Sequence, residues 1–218
     1  MLTATIGAAL ESARRSLQRK SSSPTLDAQV LLAAALGRSR AWLLAHPEIE
    51  LSDFQARTFA ASLEQVLAGK ALPHVLGEWE FYGRRFRLSP AVLIPRPETE
   101  LVVEKVLELA GAGGSALSLF DVGTGSGCIA VTLALELPAA EIVATDLSRG
   151  ALRIARLNAQ AYGVADRIRF VQADLLGGLL NRFDIVCANL PYVRTAELGG
   201  LLGREPRLAL DGGADGLL

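Results

Sequence analysis

The chain has 218 residues, half of them hydrophobic and about a fifth charged, with a net charge of −1 at pH 7. This composition can bury the core of one large domain or two modest ones, and its balanced charge offers no general attraction to nucleic acid. The two cysteines, Cys128 and Cys187, form neither a disulfide framework nor a metal-ligand spacing; no signal-peptide pattern opens the chain and no apolar run reaches the ~18 residues of a membrane span, so a cytoplasmic protein is expected.

Residues 1 to about 72 read as helix after helix, a small helical bundle. Leu2 to Leu17 is amphipathic. "SSSPTLDAQVLLAAALG" carries a serine and proline start and a glycine stop at Gly37. Ser39 to Ala45 is a short helix ended by Pro47. "LSDFQARTFAASLEQVLAG" opens on a capping Ser52 and closes at Gly69. The pattern changes at Pro73. "EWEFYGRRFRLS" alternates large apolar and polar residues around Gly83, as a hairpin does. Residues 73–96 are therefore expected to be a linker and β-hairpin. Pro97 then starts a helix, with Glu98 and Glu100 as first-turn acids.

From residue 117 strands and helices alternate: "LSLFDVG", "GCIAVTLALEL", "EIVATD", "SRGALRIARLNAQAYG", "RIRFVQAD" and "FDIVCAN". Such a run predicts right-handed crossovers and a parallel, doubly wound α/β sheet, with ligands at the carboxyl ends of its strands. Residues 97–218 form this domain. A sheet of this type usually continues beyond a fourth strand, so the sequence reads as truncated.

Four strand ends carry chemistry. "DVGTGSG", Asp121 to Gly127, is a glycine loop between strand and helix. Its spacing is G-x-G-x-G, not the dinucleotide G-x-G-x-x-G, and an acid precedes it. A carboxylate there repels phosphate and suits a cationic or amino ligand such as the methionyl part of S-adenosylmethionine. The plain alternative is a turn. Asp146 ends the next strand, where an acid can bind ribose hydroxyls or serve only as a helix cap. Asp174 ends the third, where it could meet an adenine amino group or cap a strand. Asn189 ends the fourth, in "CANLPYV". Its side-chain oxygen and the Leu190 carbonyl can accept the two N–H groups of a planar NH2. That arrangement orients a weak nucleophile toward a methyl donor. Tyr192 can pack on the flat substrate group. His46 and His74 read as surface residues and Trp42 and Trp79 as packing residues. Arg14 to Lys20 reads as a solvated helix end.

With these residues in hand the sequence resembles the HemK/PrmC methyltransferases, which modify peptide chain release factors. The resemblance runs through "LIPRPETE", "DVGTGSG", "ATDLS", "QADLL", "ANLPYV" and "EPRLALDGGADGL". It implies a Rossmann-like Class I methyltransferase sheet after a helical bundle that docks the release factor. It also implies transfer from S-adenosylmethionine to the side-chain nitrogen of the glutamine in a Gly-Gly-Gln loop. By resemblance, Asp121, Gly123, Thr124, Gly125, Ser126 and Gly127 surround the methionyl part. Asp146 with Leu147 holds the ribose, Asp174 with Leu175 lies by the adenine, and Asn189 borders the cofactor. Asn189, Leu190, Pro191 and Tyr192 grip the amide. Phe81 and the Arg96 to Glu100 stretch, Glu98 included, shape the substrate side. The resemblance implies no metal, and a monomer when the chain is complete. Leu190 departs from the family's Asn-Pro-Pro-Tyr. The Asn-Leu-Pro-Tyr form also occurs in enzymes resembling ribosomal RNA adenine dimethyltransferases. An N6-adenine methyltransferase is therefore one alternative, which the neutral charge and "IPRPETE" oppose. A non-catalytic release-factor-binding module is another.

Overall fold

The computed structural model describes residues 4–111, 116–175, 182–200 and 202–217. The chain forms two compact units, Met1–Leu76 and Gly77–Leu218.

The first unit is helical: α1 (Ile6–Leu17), α2 (Pro24–Leu36), α3 (Arg40–Ala45), α4 (Asp53–Leu67) and α5 (Leu72–Leu76). Leu2, expected to open α1, lies outside the described residues. The helix instead starts after Thr5, whose hydroxyl accepts the Ala8 N–H. Ile6, Ala9, Ala13 and Leu17 recur at helical spacing and are buried. Pro24 and left-handed Gly37 bracket α2, and Ser52 with Gln55 makes a reciprocal capping box on α4. Leu17, Leu31, Leu32 and Leu43 are fully buried, each contributing roughly 1.5–3 kcal/mol. An isolated antiparallel bridge, Thr5 to Glu50, joins the chain before α1 to the segment before α4. The helical periodicity of the sequence carries no sign of it.

The second unit begins with the hairpin β1 (Glu78–Phe81) and β2 (Arg84–Arg87). Its turn residues, Tyr82 and Gly83, both have positive φ, as a two-residue hairpin turn with the strands' twist requires. Tyr82 adopts this conformation against its side chain's preference. The Glu100 carboxylate accepts its N–H at 2.7 Å. Phe81 and Phe86 pack edge to face in the same core as Leu119, Ile129 and Ile142. The hairpin thus shares the core of this unit. Pro97–Thr99 forms a 3-10 turn that runs into α6 (Glu100–Ala110).

The remaining elements are β3 (Ser118–Val122), α7 (Cys128–Glu136), β4 (Glu141–Asp146), α8 (Arg149–Ala161), β5 (Ile168–Gln172) and β6 (Ile185–Ala188). The strands form one parallel sheet in the order β5-β4-β3-β6. Alternation splits β3: Leu119 faces the core shared with α6 and α7, while Phe120 and Val122 meet Val143, Phe183 and Leu190. The chain leaves β3 for β4 on one side and returns with β6 on the other. The carboxyl ends of β3 and β6 therefore flank the switch-point crevice.

Candidate functional site

Four strand ends converge on that crevice. After Val122 the glycine loop turns sharply. Thr124 N–H donates to the Thr145 carbonyl at 2.8 Å, and Gly127 N–H to the Thr124 carbonyl at 2.8 Å. Gly127 has φ +79°, and a Cβ there would lie 2.9 Å from Cβ of Ala155 on α8. Only glycine admits both the conformation and the approach. At Gly123 a Cβ would lie 3.1 Å from Cδ2 of Leu190, so loop and Asn-Leu-Pro-Tyr segment touch.

Asp121 is 1% exposed and lies beneath this loop, accepting the Thr124 hydroxyl at 2.7 Å. Burial pushes its carboxyl up to about 6; the Thr124 hydrogen bond opposes the shift and nearby Asp146 adds to it. A carboxyl with a raised folded pKa favours the folded state while protonated. That contribution is full below the ordinary value of 3.8 and is lost as pH rises through about 6. The unliganded protein is therefore expected to lose stability relative to Asp121→Asn between those values, by on the order of 3 kcal/mol. Denaturant melts at several pH values measure this, and parallel curves for the two proteins would refute it. The buried negative charge is also a standing attraction for a cation placed over the loop.

Asp146 accepts two backbone N–H groups, Gly125 at 2.9 Å and Ser148 at 2.8 Å. It ties the glycine loop to the start of α8, while Ser148 caps the helix by accepting the Ala151 N–H. A carboxylate has about four acceptor positions, so ribose hydroxyls can still be met. Asp174 is exposed just beyond β5. Leu147 and Leu175, one beyond each acid, are half exposed, an apolar pair beside two carboxylates. Leu175 holds φ +48°, and its carbonyl accepts the Thr145 hydroxyl at 3.3 Å. Both cysteine thiols are buried; burial pushes Cys128 up to about 12 and Cys187 upward too, which leaves both inert as nucleophiles.

On the other side of the glycine loop is a cavity of about 200 Å³ whose lining includes Arg96, Glu98, Thr99, Asn189, Leu190 and Tyr192. Asn189 Nδ2 donates to the buried Thr99 hydroxyl at 3.0 Å. Tyr192 is 71% exposed at the cavity's edge. Pro191 is half-buried between lining residues without lining the cavity itself. The Arg96 guanidinium pairs with Glu205, whose side chain is 5% exposed and also accepts the Ile94 N–H at 2.9 Å. Phe81 does not reach the cavity. It is 1% exposed and spends its ring on the core, so contact between this side chain and a substrate finds no support in the structure.

Sequence reasoning missed the brace behind this segment. Val193 N–H donates to the Leu210 carbonyl, and Gly212 N–H donates back to the Val193 carbonyl at 2.8 Å. Asp211 accepts from Thr195, Arg207 and Gly213. A Cβ on Gly216, at φ +84°, would lie 2.7 Å from the Tyr192 carbonyl oxygen; one on Gly212 would lie 2.8 Å from Tyr192 Cα. The three glycines of "LDGGADG" were the available signal. Thr99 falls in the Arg96 to Glu100 stretch and Glu205 in "EPRLALDGGADGL", but their partners, Asn189 and Arg96, lie too far along the chain for local spacing to reveal. Among the described residues, no group of three or more His, Cys, Asp or Glu is placed to hold a metal, and no helix is long and apolar enough to cross a membrane.

Residues 8–77 match the PrmC N-terminal domain family, and residues 97–192 match the ribosomal protein L11 methyltransferase (PrmA) family. The release factor glutamine methyltransferase of Chlorobaculum tepidum is 43% identical over 206 residues, covering 88% of this chain and 70% of that protein. The proteins of that name from Moorella thermoacetica and Bradyrhizobium diazoefficiens are similar at 46% over 198 residues and 42% over 221. These matches cover 89% and 96% of this chain, and 70% and 74% of theirs.

Proposed function

The chain belongs to the release factor glutamine methyltransferases, and we propose that its glycine-loop crevice holds S-adenosyl-L-methionine while the cavity beside it takes the glutamine side chain. It transfers a methyl group to the side-chain amide nitrogen of a release factor glutamine. When bound, the cofactor supplies an electrophilic methyl group on a sulfonium. The residues present fit such a ligand: buried Asp121 and the glycine loop suit its cationic methionyl end, Asp146 with Leu147 suits the ribose, and Leu175 offers apolar contact to a base. Asp174 stands by its amino edge.

The observation that carries this reading is the Asn189 carboxamide, held by Thr99 at the cavity wall and joined to the glycine loop through Leu190. An amide nitrogen is a poor nucleophile because its lone pair is delocalised. Asn189 Oδ1 and the Leu190 carbonyl accept its two N–H groups, fixing the plane and favouring the positive charge that develops on nitrogen. One of those N–H protons is then lost to water, giving the neutral N-methyl amide. Tyr192 covers the flat face of the group. Arg96 and Glu98 form the rim that meets the surrounding loop. We place the protein in the cytoplasm, acting on protein rather than nucleic acid.

The test is incubation of the purified protein with labelled S-adenosyl-L-methionine and either a release factor or RNA. Label on a glutamine of the release factor is expected. Label on adenine would replace this reading with the adenine one, and cofactor binding with no transfer would favour a docking module. Leu190→Pro is expected to keep turnover within about threefold, because the carbonyl stays. The stiffer backbone gains roughly 0.4–1 kcal/mol, comparable to the packing lost when the Leu190 side chain leaves Val122 and Phe120. A tenfold fall in turnover at unchanged melting temperature would mean that the Leu190 side chain, not its carbonyl, matters.

A further inference from the structure

We infer that Thr99 is a positioning residue for methyl transfer, acting only through Asn189. The inference rests on the proposed role of Asn189 as an acceptor for the substrate amide. Thr99 is 6% exposed, and its Oγ1 lies 3.0 Å from Asn189 Nδ2, ninety positions along the chain. This contact holds one end of the carboxamide, which leaves the other end, Oδ1, for the cavity that Asn189 lines. Without a partner on Nδ2, the carboxamide can rotate about its last torsion, where the preference is broad and roughly two-fold. The acceptor would then spend much of its time out of the substrate's plane, or present its own NH2 to the substrate's NH2.

The frame that carries Thr99 is itself pinned. Its N–H donates to the Arg96 carbonyl at 3.0 Å, and Pro97 restricts the backbone between them. Arg96 on one side is tied to the covered carboxylate of Glu205, and Glu100 on the other holds the Tyr82 N–H. A hydroxyl on so constrained a segment is pre-organised: it need not be ordered when substrate arrives. The contacts of the segment run to Glu205, Asn189 and Tyr82, so Thr99 sits where three remote parts of the unit are brought into register. Among the described residues, no hydrogen bond given for Thr99 reaches the glycine loop, so the effect of its loss is expected in the chemical step rather than in cofactor affinity.

A double-mutant cycle tests this with release factor as substrate, in single-turnover assays of the parent, Thr99→Val, Asn189→Ala and the double variant. Valine keeps the branched shape and removes the hydroxyl. Thr99→Val is expected to slow transfer on the order of tenfold or more, with S-adenosylhomocysteine affinity and melting temperature close to the parent's. Thr99→Ser should restore most of the lost rate. In the Asn189→Ala background the valine substitution should have no further effect, because its only route of action is gone. An additive loss in the double variant would make Thr99 a structural residue and overturn the inference, as would a parental rate in Thr99→Val. If the valine variant does not fold, Thr99→Ala carries the same cycle. A parent that leaves the release factor unmethylated would instead overturn the function proposed above.

Discussion

Asn189→Ala is expected to lower methyl transfer on the order of 10²-fold or more while leaving cofactor affinity close to the parent's. The separation follows from the division of labour in the crevice. The loop that would take the cofactor is held by Asp146 through Gly125, by the Thr124 bond to Thr145, and by the contact of Gly127 with Ala155. None of these involves the Asn189 side chain, whose one hydrogen bond given by the structure is to Thr99. Removing it takes away an acceptor that strengthens as the substrate nitrogen becomes positive, which raises the barrier without weakening the ground state of the other ligand. Calorimetric titration with S-adenosylhomocysteine and a single-turnover assay would measure the two sides. A variant that turns over normally would remove Asn189 from the reaction. One that loses cofactor affinity and rate together would make it part of the cofactor crevice instead.

The second large effect is on stability. Asn158→Ala should cost about 3 kcal/mol, lowering the melting temperature by roughly 10 °C. Asn158 on α8 is 1% exposed and makes three hydrogen bonds. Its Oδ1 accepts the Arg87 N–H at 2.8 Å, and its Nδ2 donates to the Arg87 carbonyl at 3.1 Å and the Ser126 carbonyl at 2.8 Å. The side chain thus completes the edge of β2 as a neighbouring strand would, and fastens the glycine loop with its remaining hydrogen. Truncation leaves the two partly buried Arg87 groups and the buried Ser126 carbonyl without this partner, and an unsatisfied group carries a desolvation penalty that is largest at Ser126. Because Ser126 lies in the glycine loop, cofactor affinity should fall as well. A melt within 2 °C of the parent's would show that water reaches these groups.

The parts legible in the sequence are those whose cause is local. Glycines with positive φ, acids at strand ends and the Asn-Leu-Pro-Tyr turn announce themselves within a few residues, and the period-2 and period-3.6 patterns order them into a parallel sheet. Asp146 shows why two readings of one residue need not compete: its carboxylate does take backbone N–H groups as a cap would, and it still borders the crevice. What stayed hidden depends on partners far along the chain. Asn158 reads as one more polar residue on an amphipathic helix, yet it completes a hairpin 71 positions away. Glu205 stands in the family-like ending, yet nothing near it in sequence shows that its covered side chain anchors Arg96. The burial of Phe81 was hidden for a different reason: an aromatic in an alternating strand has two faces to choose from, and the packing with Phe86 and the sheet decides which one is inside.

The brace behind Tyr192 has a consequence for the order in which the molecule comes together. Apart from the Leu190 side chain beside Gly123, the contacts described above that shape the glycine loop are made by residues up to Asn158, whereas the backbone of Tyr192 is packed against Gly212 and Gly216 and its neighbour Val193 is bonded to Leu210 and Gly212. A chain emerging from the ribosome at about 5–20 residues per second has the first set available seconds before the second. There is therefore an interval in which the residues proposed for the small-molecule side, Asp121 to Leu175, have been synthesised and the segment that braces the proposed substrate wall has not.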